Sequence, residues 1–134
     1  MSSRTWVYSR LTTGNASLQA LVGTRVYSST SLDVAPTTKP FLVTRALAHL
    51  PTLSGDDRNQ AYTDSYQIFA HDTPGDYMKI DTILDLVRGQ FDGVVDQANG
   101  IVRATWVEDS EDFRDDDMGT ILKYCRIQLT VREP

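Results

Sequence analysis

The 134-residue chain has one cysteine, two histidines and no apolar run of the roughly 18–20 residues that a membrane-spanning helix requires. A lone Cys125 forms no internal disulfide, so the chain is expected to fold in a reducing cytoplasm. His49 and His71 lie far from that cysteine, with no recurring ligand spacing, which argues against zinc. A Gly-rich phosphate loop is missing, and so is the G-x-S-x-G pattern of a nucleophile elbow. The opening segment MSSRTWVYSR lacks the unbroken apolar core of a signal peptide. Basic clusters are scarce as well. Thirteen Lys and Arg stand against 18 Asp and Glu, and a net charge of −5 disfavours tight binding to phosphate backbones. Catalysis, a metal, a cofactor and membrane association are therefore not expected.

What is present is an ordinary globular composition, 40% apolar and 23% charged, in a length that fits one domain. The charge is unevenly spread. EDSEDFRDDDMG, residues 108–119, holds seven carboxylates and one arginine, a net −6 that leaves +1 for everything else. An EF-hand loop needs acids at positions 1, 3 and 5, Gly at 6 and Glu at 12. Counted from Asp115, Gly119 falls at position 5 and Arg126 at 12, so the pattern fails. A glycosidase-like pair needs a pocket that separates two carboxyl pKa values, and a run of like charges offers no such asymmetry.

The elements can be read in order. Trp6, Val7, Arg10 and Leu11 have helical spacing, ended by Gly14. Asn15 caps a second short helix, 16–22, closed by Gly23. Arg25, Val26 and Tyr27 begin a strand, and 28–40 is a Ser/Thr/Pro-rich connection. Residues 41–47 and 61–70 read as two strands of a hairpin with its tip in 51–58. Thr73 as cap, Pro74 at the first position and Asp76 three residues on predict a helix over 74–91. Its apolar stripe is Tyr77, Ile80, Ile83, Leu84, Val87 and Phe91. Asn99-Gly100 precedes a β-rich stretch, 101–107. Residues 121–132 alternate most cleanly: Cys125, Ile127, Leu129 and Val131 face one way, Tyr124, Arg126, Gln128, Thr130 and Arg132 the other. The sum is a single α+β domain.

The acidic run thus connects the strands of an antiparallel hairpin, where unpaired carboxylates must project into solvent or toward a partner. Its candidate interface or channel residues are Glu108, Asp109, Glu111, Asp112, Asp115, Asp116 and Asp117, joined by Tyr124, Arg126 and Gln128 on the polar side of the last strand. Trp6 and Trp106 are expected in or beside the core, Cys125 as a small buried hydrophobe, and both histidines at the surface or as caps.

Three stretches carry a family likeness. Leu21-Val22-Gly23, then Arg25-Val26-Tyr27, then Pro40-Phe41-Leu42-Val43 stand in the order and spacing of the tail terminator (tail completion) proteins of long-tailed, non-contractile bacteriophages, which the chain resembles from Trp6 to Arg132. The resemblance implies a mixed or mostly antiparallel sheet of about four to five strands flanked by helices. It further implies a virion structural protein: a homohexameric ring that caps the head-proximal end of the tail tube and ends its polymerisation. The partners implied are the major tail tube protein and a neck or head-completion (stopper) protein, with genomic DNA passing through without specific binding. The acidic run would then line the channel, where it repels phosphates, or sit at a junction with another ring. Neutralising Asp115, Asp116 and Asp117 to Asn is expected to impair DNA passage or joining while leaving the fold intact. Two alternatives are another small tail or neck component and a host-directed binding protein.

Overall fold

A computed structural model describes residues 2–28, 38–52, 61–116 and 119–132. Two helices come first, α1 (Ser3–Thr13) and α2 (Ala16–Val22). Strands β1 (Val26–Ser28), β2 (Phe41–Thr52) and β3 (Ala61–Asp72) follow, then α3 (Met78–Phe91). A short 3-10 turn, Gln97–Asn99, leads into β4 (Ile101–Asp109), β5 (Phe113–Asp115) and β6 (Thr120–Arg132). The architecture is α+β, as the element order predicts. Among the described residues the sheet has six strands rather than four to five, because the acidic run itself contributes β5.

The sheet runs β1-β2-β3-β6-β4, with β5 also on β6. Among the described residues only β1 and β2 are parallel, and every other pairing is antiparallel. The 41–47 and 61–70 strands form the expected hairpin and are longer than their sequence pattern; of the expected tip, 51–58, residues 51–52 belong to β2 instead and 53–58 lie outside the described residues. Both β4 and β5 pair along the same edge of β6, so they are two pieces of one interrupted strand. Ser110 spans the interruption: its N–H donates to the Tyr124 carbonyl at 2.7 Å, and its Oγ accepts from the Tyr124 N–H at 2.9 Å.

All three helices pack on one face of this sheet. The core joins Trp6, Leu11, Leu18, Ile80, Ile83, Leu84, Val87 and Phe91 from the helices to Leu42, Ile68, Ala70, Cys125, Ile127 and Leu129 from the strands. The α3 stripe is the predicted one, and each fully buried Leu, Ile or Phe contributes roughly 1.5–3 kcal/mol relative to exposure. The helix starts at Met78, however, four residues later than Pro74. Local turn bonds win there. Asp72 accepts the Thr73 N–H at 2.8 Å, and Asp76 accepts the Met78 N–H at 3.0 Å, an Asx turn that a Pro-Gly pair favours over helix.

The first helices end as predicted, for two different reasons. Asn15 Oδ1 accepts the Leu18 N–H at 3.0 Å, capping α2, and Gly23 closes it at φ +57°. Gly14 has an ordinary right-handed φ of −80°. It is glycine because a Cβ there would run into the Gln90 side-chain oxygen and the Arg10 carbonyl.

Two glycine variants test this packing by chemical denaturation. Gly14→Ala overfills the α1–α3 contact and is expected to lower stability by about 1–3 kcal/mol. Gly89→Ala sits on the exposed side of α3 with nothing within 4 Å of the new methyl group, and is expected to raise it by about 1 kcal/mol. Equal effects from the two would contradict the packing described.

Candidate functional site

The sequence points to the last strand and the acidic run, and the structure places both at one side of the sheet. β6 is an interior strand, flanked by β3 on one edge and by β4 and β5 on the other. Alternation sends Cys125, Ile127 and Leu129 into the helix-side core. Leu122, Tyr124, Arg126, Gln128, Thr130 and Arg132 therefore point to the opposite face, which no helix among the described residues covers. Tyr124, Arg126 and Gln128 are on that face as expected.

The helix-free face divides into two zones. Near the acidic hairpin it is aromatic. Phe41 stacks on His71 with centroids 4.8 Å apart, and Tyr124 lies 5.3 Å from Phe69 and 6.1 Å from Phe113. Phe41, Val43 and Leu122 are buried here without joining the helix-side core, so the sheet has a second, smaller apolar cluster. Phe113, at its rim, stays 39% exposed. Further along, the face turns polar. Register aligns Arg45, Gln67, Arg126 and Glu108 in one row across four strands, followed by Ser65, Gln128 and Thr105.

The acidic run is less free than its composition suggests. Glu108 accepts from Arg126 at 3.0 Å, and Asp109 accepts the Trp106 indole N–H at 2.9 Å. Asp112 lies 3.9 Å from Lys123, whose ammonium donates to Asp81 of α3 at 2.7 Å. That hydrogen bond, with the nearby carboxylates, holds the Lys123 pKa above its ordinary value. Asp116 pairs with Arg114 at 3.1 Å, both well exposed. Asp115 is opposite Thr120 in β5, and Glu111 is exposed in the link between β4 and β5. Asp117 lies outside the described residues. The expectation of a purely projecting loop is corrected: Phe113 draws the middle of the run back onto β6 by packing against Tyr124. Among the described residues no group of three or more His, Cys, Asp and Glu is placed to hold a metal ion.

Trp6 and Trp106 take the places expected of them. Trp6 is 2% exposed and donates its indole N–H to Asp96 at 2.9 Å, while Trp106 packs beside the core with the Arg88 guanidinium over its ring. Cys125 is fully buried, and desolvation pushes its thiol up to about 12, so it is not a thiolate at neutral pH. His71 departs from expectation. It is 5% exposed, sandwiched against Phe41, with Nδ1 2.8 Å from the Thr120 hydroxyl, and is not a surface or capping residue.

A cluster that the sequence did not announce lies at the opposite end of the sheet, on the helix side. Ser3 of α1 donates to Asp64 at 2.5 Å and touches the Tyr66 hydroxyl at 2.5 Å; Asp64 also meets His49, which stacks on Tyr62. These groups border a cleft of about 950 Å³. The carboxylate sits between serine and histidine, so the histidine does not reach the serine proton as a nucleophilic triad requires. What the contacts do is tie the start of α1 to the β2–β3 hairpin. Ser3 and Asp64 are 61 residues apart, and no local pattern links them.

The fold so defined is a sheet backed by helices on one side and open on the other. A chain of the native gene transfer agent (GTA) virion particle shares it, with a TM-score of 0.72 and 16% identity over 95% of this chain and 92% of that one. At that identity the likeness is one of fold. No family model matches the chain, and no curated protein does.

His71 yields a pH prediction. Burial pulls its pKa from 6.5 down to about 4, assisted by Lys39 and opposed by Asp115. The fold accepts the neutral ring, so this contribution is complete above pH 6.5 and is lost as the pH falls toward 4, by about 3 kcal/mol. Denaturant titrations should show a shallower decline across pH 6.5–4 for His71→Gln than for the parent. Parallel curves would refute the buried neutral state.

Proposed function

We propose that the protein is a virion structural component that acts by assembly. More specifically, it forms a ring that caps the head-proximal end of a phage tail tube, ends tube polymerisation and presents the head–tail joining surface. The observation that carries this reading is the near full-length fold shared with a chain of a gene transfer agent virion. The terminator-like stretches support it and now have structural places. Leu21-Val22-Gly23 closes α2, Val26-Tyr27 lies in β1, and Phe41-Leu42-Val43 opens β2 beside it. The same fold match supports a second reading, another small tail or neck component, because it concerns the virion as a whole.

For the acidic run we favour a junction between proteins over a channel wall. Phe113 and Val107, each 39% exposed, stand beside its carboxylates. Exposed apolar groups flanked by charge suit a surface that becomes buried against protein, whereas passing DNA gains little from them.

Electron microscopy of particles assembled without this protein separates the readings. Loss of a terminator is expected to give tubes of uncontrolled length that do not join heads. Absence of tubes would indicate a tube component instead. Normal, infectious particles would remove the virion role.

A further inference from the structure

The helix-free face has an unusual charge balance beyond its aromatic zone. By register its polar zone carries Arg45, Arg126, Arg103 and Arg132 against one carboxylate among the described residues, Glu108, while Asp115 lies in the aromatic zone. Arg126 is already paired with Glu108. The ion pairs among the described residues involve none of Arg45, Arg103 and Arg132, and all three are exposed. Between them lie neutral hydrogen-bonding side chains such as Gln67, Gln128 and Thr105. A basic sheet face that no described helix covers therefore belongs to the same chain as a hairpin run of net −6.

Within one molecule they meet where Arg126 pairs with Glu108, but β3 and β6 stand between Arg45 and β4, and distance along the strands separates Arg103 and Arg132 from the rest of the run. The acidic run adjoins the Thr120 end of β6, while Arg132 is at the other end and Arg103 pairs near it. Thirteen residues of strand separate the ends by roughly 40 Å. We propose that the Arg45–Arg103–Arg132 face of one copy receives the acidic β4–β6 hairpin of a second copy of this chain. The two patches differ, so the contact is heterologous and repeats head to tail, which closes into a ring when the rotation permits. A nucleic acid is the less suitable occupant, because the chain's overall −5 repels a polyanion during approach. The hairpin also brings Phe113 and Val107, apolar groups that a protein surface can bury. This contact deepens the reading of the protein as a self-assembling virion component and rests on it.

The test uses the full chain in two charge-reversed forms. One carries Arg45→Glu with Arg103→Glu; the other carries Glu111→Arg with Asp116→Arg. Circular dichroism and thermal melts establish that each is folded. Native mass spectrometry and sedimentation at low ionic strength then read assembly. The parent is expected to associate, and each variant alone to need at least about tenfold more protein to do so. An equimolar mixture of the two is expected to co-assemble near the parent concentration, because each Glu-bearing face then meets an Arg-bearing hairpin and each native face meets a native hairpin. A folded parent that stays monomeric, variants that assemble like the parent, or a mixture that fails to recover would each overturn the contact. So would binding of a DNA duplex that the face reversal abolishes while association is unchanged. Tail length in particles carrying each variant keeps the two levels apart: unchanged assembly with normal tails removes this contact and leaves the virion role standing.

Discussion

A β-sheet has two faces, and in this protein three short helices cover only one. That single constraint organises the rest. The helix-side core takes the odd-numbered apolar residues of β6, Cys125, Ile127 and Leu129, and the even-numbered residues are left to the other side. A one-residue slip of β6 would send Arg126 and Gln128 into the core, so the register is strongly specified. The open face then had to be made soluble or useful. It is aromatic and closed at the hairpin end, and basic and neutral-polar at the other.

The elements with strong local signals were legible from the residues. Alternation in β6, the 3–4 spacing in α3, and Asn15 with Gly23 around α2 all report burial or capping that neighbouring residues decide. The start of α3 was misplaced because Thr73, Pro74 and Asp76 fit a helix cap and an Asx turn almost equally. The side-chain bonds of Asp72 and Asp76 settle the matter in favour of the turn. β5 was not legible at all. Three residues cannot display a period, and one phenylalanine among carboxylates does not show that it packs on Tyr124.

The candidate site was half visible. Tyr124, Arg126 and Gln128 were placed on an uncovered face by alternation alone. Alternation placed Arg132 with them, but not Arg45 and Arg103, which come from two other strands and join that face only through sheet order. The same is true of Ser3, Asp64 and His49, brought together across the helix–hairpin junction. Charge composition correctly located the acid but overstated its freedom, because Arg126, Arg114 and Lys123 are arranged around it. These pairs are exposed enough to contribute little stability each, so they shape the hairpin more than they strengthen it.

A protein that works by shape needs its contact surfaces held rigidly and offset from one another, and this sheet supplies both on a single scaffold. Electron cryomicroscopy of purified particles tests that account most directly. It predicts density for this chain in a closed ring, with the helix-free face of each copy turned against a neighbour. Its absence from the particle, or a helix-free face turned entirely to solvent there, would contradict it.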